Sequence, residues 1–152
     1  MDIKEFIDLF CETWGLPQVQ IKKVSLPGTM QARLDINSNT LELRTAQNVS
    51  ITEELVFIIS HELRHLWQKE QGWNFENYNS DTSDIDTYNA QVEEIDANAF
   101  GFLICDILFD CAPTFNRLAP HVRCKIYERA LELDESDFEI FDDFAERVNK
   151  KR

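Results

Sequence analysis

The sequence predicts an α+β fold: a small antiparallel sheet, built on a hairpin, packed with about five helices. Three observations carry this expectation. The segment from Gln31 to Thr45 alternates apolar and polar residues on either side of an Asn-Ser-Asn turn. Several other segments repeat apolar residues at helical spacing and start at capping residues. Only four glycines and four prolines occur, and they act as punctuation between these segments.

In chain order, Asp2 can cap a first helix that runs to about Trp14, with Ile3, Phe6, Ile7 and Phe10 on one face; Gly15 and Pro17 end it. A short strand near Val19 to Val24 is expected to join the hairpin. There, Ala32, Leu34 and Ile36 alternate before the turn, and Leu41 and Leu43 after it. Ser50-Ile-Thr-Glu53 has the form of a capping box and opens a helix from about Ile51 to Lys69, with Gly72 just beyond. Gly72 to Thr87 is rich in Asn, Asp and Ser and reads as a loop with at most a short helical turn. A loop of that length in a small domain is often functional. A long helix is expected from about Tyr88 to Phe109. After Pro113, Pro120 occupies the first turn of another. Ser136-Asp-Phe-Glu139 reads as a second capping box, opening a final helix with Phe138, Phe141 and Phe144. No internal repeat or boundary is visible, so residues 1–152 are expected to form one domain.

A hydrophobic content of 43% with 11% aromatics is ample for a packed core and excludes global disorder. No apolar run is long enough to span a membrane. Acidic residues number 28 against 15 basic, a formal net charge of −13, which argues against a nucleic-acid backbone or an anionic membrane as partner. The first residues lack the basic-then-apolar order of a signal peptide, so a cytoplasmic location is expected. Cys11, Cys105, Cys111 and Cys124 contain no CxxC pair and are expected to be reduced and mostly buried.

The chemistry concentrates in ISHELRHLWQ, Ile59 to Gln68. His61 and His65 are four residues apart, so on a helix they stand one above the other and two ring nitrogens can reach one ion. Glu62 is placed to act as a general base toward a zinc-activated water. Leu55, Ile59, Leu63 and Leu66 mark the buried stripe. The two histidines fall on its flank, and Arg64 is expected to project opposite the core. The third ligand should come from a second helix, within QVEEIDANAFGFLI. Glu94 shares a face with Ala90, Ala97 and Gly101, small residues that permit close helix approach. Glu93 is the runner-up. Asp96 lies in the apolar stripe and needs a partner there. Asn98, one turn after Glu94, is suited to orient a ligand by hydrogen bonding.

His61-Glu62-Leu63-Arg64-His65, followed by Glu94-Ile95-Asp96-Ala97-Asn98-Ala99-Phe100-Gly101, resembles the small gluzincin-type zinc metallopeptidases of the ImmA/IrrE kind, over about Thr29 to Cys105. The family pattern often has Gly at the Arg64 position and Asp at the Asn98 position. The resemblance implies a minimal gluzincin-like fold, with His61, His65 and Glu94 as ligands to Zn2+ and Glu62 as the catalytic base. It also implies a protein or peptide substrate, since some members, often encoded by phages and mobile elements, cut a partner repressor. His121, Arg123, Tyr78 and Tyr88 are candidate oxyanion donors; Tyr88, less than two turns before Glu94, is favoured. Trp73, Phe75 and Tyr78 are candidates for a substrate wall or lid, and the acidic loop residues would favour a basic substrate segment. The alternative is a non-catalytic metal-binding or acidic protein-interaction module that keeps the metallopeptidase fold.

Overall fold

Asp2 accepts a hydrogen bond from the Glu5 amide while the Glu5 carboxylate accepts one from the Asp2 amide. This reciprocal cap starts α1 (Ile3–Trp14), and Gly15 ends it in the left-handed conformation. Three strands follow, β1 (Gln20–Lys23), β2 (Ala32–Asp35) and β3 (Thr40–Leu43). β2 and β3 form the expected antiparallel hairpin, with Asn39 at positive φ in the turn. β1 pairs with the other side of β3 in parallel, in the order β1-β3-β2. The sheet is therefore mixed rather than purely antiparallel. The connection between Lys23 and Ala32 carries the chain past the middle position, which β3 later fills. Leu41 and Leu43 of that central strand are fully buried, and β2 is left as an edge strand.

The computed structural model describes all 152 residues and contains six helices around this sheet. α2 (Glu53–Glu70) starts at Thr52, whose hydroxyl accepts from the Leu55 amide. The cap is not Ser50, which pairs with Asp2 in an isolated bridge instead. Leu55, Val56, Ile59, Leu63 and Leu66 are all buried. The helix expected from Tyr88 is divided into α3 (Ile85–Asn89) and α4 (Val92–Phe109). Gln91 is extended between them, and its side chain holds the Asn79 backbone through the amide nitrogen and the carbonyl oxygen. α5 (Pro120–Ser136) begins at its proline as expected. α6 (Phe138–Lys151) follows after Asp137 alone, without a side-chain cap, because Ser136 is still part of α5.

Phe6, Phe10 and Trp14 of α1 pack edge-on or tilted against Phe100, Phe141 and Phe144 and join α1, α4 and α6 into one core. α2 and α4 approach closely at Gly101, where a Cβ would meet the Phe57 ring at 2.9 Å. The small-residue face expected on α4 is thus used. Only Cys11 and Cys105 are buried; Cys111 and Cys124 are exposed, so the cysteines are not mostly buried. No helix is long and apolar enough to cross a membrane.

Arg64 does not project away from the core. It is 1% exposed and forms a forked pair with Asp96, Nε to Oδ2 at 2.7 Å and Nη2 to Oδ1 at 3.1 Å. Its guanidinium lies 3.5 Å from the Trp67 ring centroid and 4.7 Å from that of Phe100. The helical wheel places one apolar stripe against one neighbour. In the fold α4 covers a second side of α2, and Arg64 faces it. Asp96 thereby gains the partner its place in an apolar stripe demands, and Arg129 of α5 adds a second at 2.9 Å.

Replacing Asp96 by alanine should strip the buried guanidinium of its fork and destabilise the protein by about 3–5 kcal/mol. Urea unfolding measures this; a loss below about 1 kcal/mol, the range of exposed pairs, would contradict the role given to the pair.

Candidate metal centre

Four-residue spacing on α2 stacks His61 above His65, and Glu94 enters from the first turn of α4, where the helix dipole favours a carboxylate. Glu94 Oε1 lies 3.2 Å from His61 Nε2, and its Oε2 lies 2.8 Å from His65 Nε2. The two Nε2 atoms are 3.2 Å apart. Ligand atoms of all three residues fall within 4.8 Å of one another, and the group can hold a metal ion. Two ring nitrogens so close face one carboxylate, an arrangement that wants a proton or a cation between its members. Glu94 itself is 1% exposed, whereas the histidine side chains keep 14% and 13% exposure, so the cluster is backed by core and open on one side.

The other two candidate acids of α4 do not join the cluster. Glu93 lies outside the metal-capable group, its backbone carbonyl accepting from Gln68, and the Asp96 carboxylate is held by arginines. Among the three candidates, Glu94 is the one brought to the histidines. Asn98 does not orient a ligand; it donates to Asn89 Oδ1 at 2.9 Å.

The electrostatics follow from burial and pairing. Burial alone would raise the Glu94 carboxyl, but hydrogen bonds from His61 and His65 outweigh it and hold the group well below the usual range. Burial alone would lower His65; the hydrogen bond and charge of Glu94 win, and the ring is pushed up to about 9. Tyr78 donates to Glu94 Oε2 at 2.9 Å, and its oxygen lies 2.8 Å from the Tyr88 hydroxyl. Since the carboxylate only accepts, the Tyr78 proton goes to Glu94 and Tyr88 donates to Tyr78. Burial, reinforced by the Glu94 charge, pushes Tyr88 up to about 12.

Beside the cluster lies a cavity of about 670 Å³. Ala32, Leu34 and Ile36 wall it from the sheet side, Phe75, Tyr78 and Tyr88 from the other, and Glu62 and His65 reach it from α2. Glu62 Oε2 accepts from the Leu34 amide at 3.3 Å. Trp73 does not line this cavity and packs against Trp67 instead. His121 is exposed at the start of α5, and neither it nor Arg123 lines the cavity. Sequence reasoning missed Gln68, fully buried and 2.9 Å from His65 Nδ1. The signal was the spacing of Ser60, Arg64 and Gln68 at every fourth position, a polar line on α2 buried throughout.

Fold and site together define an α+β domain with a two-histidine, one-glutamate cluster fit to hold a metal ion. No family model, curated protein or solved structure matches the chain.

Below about pH 9 the His65 ring keeps a proton that a metal ion must displace. Metal affinity of the stripped protein should therefore climb as pH rises from 7 and level off above about 9. Competition titrations with a chelator across that range check this, and a flat profile between pH 7 and 9 would contradict the pairing of His65 with Glu94.

Proposed function

We propose that the chain is a zinc-dependent peptidase that hydrolyses a peptide bond in a protein partner, in the manner of the ImmA/IrrE-like metallopeptidases its two motifs resemble. The observation that carries this reading is the meeting of His61, His65 and Glu94 beside a cavity that Glu62 also lines. Two imidazoles and one carboxylate are the ligand set of a catalytic zinc site, which leaves a coordination position open. The ion, when bound, supplies Lewis-acid activation of water and of the substrate carbonyl.

The chain's own residues do the rest. Glu62 takes the proton from the attacking water and returns it to the leaving amine. Its Oε2 is engaged by the Leu34 amide, which keeps the carboxylate aimed along the cavity wall and leaves Oε1 for the proton. Tyr78 holds Glu94 through a hydrogen bond to Oε2, the oxygen that also faces His65 Nε2. Tyr88 is the proposed donor to the developing oxyanion. For that it must turn its proton from Tyr78 toward the cavity it lines. The apolar wall from β2 and the loop excludes water from one side of the reacting bond. A protein substrate, a repressor among the candidates, is consistent with the acidic surface only if the segment cut is neutral or basic, given the net charge of −13.

Glu62→Gln should abolish cleavage while zinc remains bound at one equivalent per chain, because the residue is not a ligand. Glu94→Ala should lower zinc retention by at least about tenfold and abolish cleavage with it. Elemental analysis and a cleavage assay on candidate repressor substrates read both. Wild-type activity in Glu62→Gln would remove the proposed base, and unchanged zinc in Glu94→Ala would remove the third ligand. Tyr88→Phe should reduce turnover about 10²–10³-fold with little change in zinc affinity if it serves the oxyanion.

A further inference from the structure

We propose that Gln68 is a positioning residue of the metal centre: it dictates which ring nitrogen of His65 carries the proton, and a buried network behind it dictates the orientation of Gln68. The inference rests on the metal-centre reading and not on peptidase activity.

The Gln68 amide nitrogen lies 2.9 Å from the Glu93 carbonyl oxygen and 2.9 Å from Asp96 Oδ2. A peptide carbonyl has no proton to give. Nor has Asp96, whose two oxygens are bound by Arg64 at 2.7 and 3.1 Å and by Arg129 at 2.9 Å. Both neighbours can only accept, so this end of Gln68 must be the NH2 group. The other end is then the amide oxygen, and it sits 2.9 Å from His65 Nδ1. An amide oxygen only accepts, so Nδ1 must carry the hydrogen. With that proton placed, the lone pair of a neutral His65 ring is on Nε2, the atom that faces His61 and Glu94. Arginine charge in the helix interface thereby fixes, through one carboxylate and one amide, Nε2 as the nitrogen a cation would take. None of the intermediate atoms is free to flip, because Gln68 is fully buried and Asp96 is 1% exposed.

The other histidine has no such device. His61 Nδ1 is buried with no hydrogen-bond partner. No hydrogen bond at Nδ1 fixes its ring, which contacts Glu94 and His65 through Nε2, whereas the His65 ring is fixed from behind before any ion arrives. The centre should be built on His65, with His61 adapting to it.

The test uses the full chain with zinc as the probe. In the zinc-loaded wild type, nitrogen-15 spectra should show His65 with a protonated Nδ1 whose hydrogen exchanges slowly, and Nε2 as the ligand. His61, whose Nδ1 has no acceptor, should lack the hydrogen-bonded Nδ1 proton signal that His65 shows. Gln68→Met, close in volume and without an acceptor oxygen, should lose the slow exchange at His65 and lower zinc affinity about 10–100-fold. Far-ultraviolet circular dichroism reports whether this variant keeps its helices. Zinc uptake with His65 bound through Nδ1, or with Nδ1 unprotonated, overturns the inference and leaves the metal-centre reading intact. A folded Gln68→Met that holds zinc within about twofold of wild type and keeps slow Nδ1 exchange does the same. Failure of the wild type to take up zinc overturns both. Should the variant not fold, the wild-type spectrum still decides the protonated nitrogen.

Discussion

Everything at the cluster depends on how α2 is set against α4, and the forked pair of Arg64 with Asp96 sets it. α2 carries His61 and His65; α4 carries Glu94. Apolar contacts alone would let two such helices slide or rotate with modest loss, because dispersion is not directional. A guanidinium fork on a carboxylate has one good geometry. Here it is fastened further by the Trp67 and Phe100 rings around the guanidinium and by Gln68 on the same carboxylate. At Gly101 the Phe57 ring and carbonyl come so near that even a methyl group would collide, which sets the depth of approach. Ion pairing in a dry interface costs desolvation and adds little net stability over a well-packed apolar pair. Its contribution here is register: it brings Glu94 to hydrogen-bonding distance of both imidazoles.

Two carboxylates two residues apart on α4 show how environment separates roles. Asp96 faces α2 and α5 and is neutralised by two arginines whose charges do not leave. Glu94 faces the histidines and a tyrosine, partners that can give up protons. Both groups are held ionised against the burial that would protonate them. Only Glu94 does so without a permanent cation beside it, so its side of the helix is the one where a metal ion would complete the charge balance. Gln68 touches both halves of this arrangement, with its nitrogen on Asp96 and its oxygen on His65.

The parts of this design that were legible in the sequence are those that depend on local spacing. The Asp2 cap, the hairpin about Asn37 to Asn39, Pro120 in a first turn and the stacking of His61 on His65 follow from neighbours within four residues. Glu94 was legible because small residues on its face foretold a close helix partner. The misses are tertiary. Arg64 read as solvent-facing because a wheel shows one apolar stripe, and the four-residue spacing of Ser60, Arg64 and Gln68 is the sole local hint that a second helix covers the next one. Ser50 has the right spacing for a cap but is drawn into a bridge with Asp2, which lies far away in the chain. The division of Tyr88 to Phe109 at Gln91 depends on a clasp to Asn79, again beyond any local window. The parallel pairing of β1 is likewise a matter of where the chain passes, which alternation of residues does not encode.

The same contrast between fixed and adaptable parts runs through the cavity. Its floor belongs to α2, a core helix whose apolar stripe is wholly buried. Its outer wall comes from the segment after Gly72, which is organised by side chains of Asn74, Asn79, Asp81 and Asp84 bonding to backbone a few residues on, and by the Gln91 clasp. Such short-range bonds, exposed to water, break at little cost compared with core packing. The segment is therefore held at less cost than α2 and α4, which fix the three cluster residues. One bond couples the two regimes: the Tyr78 hydroxyl, carried by the adaptable wall, ends on Glu94. The charge on Glu94 in turn favours the position Tyr78 takes here, so the wall and the carboxylate hold one another.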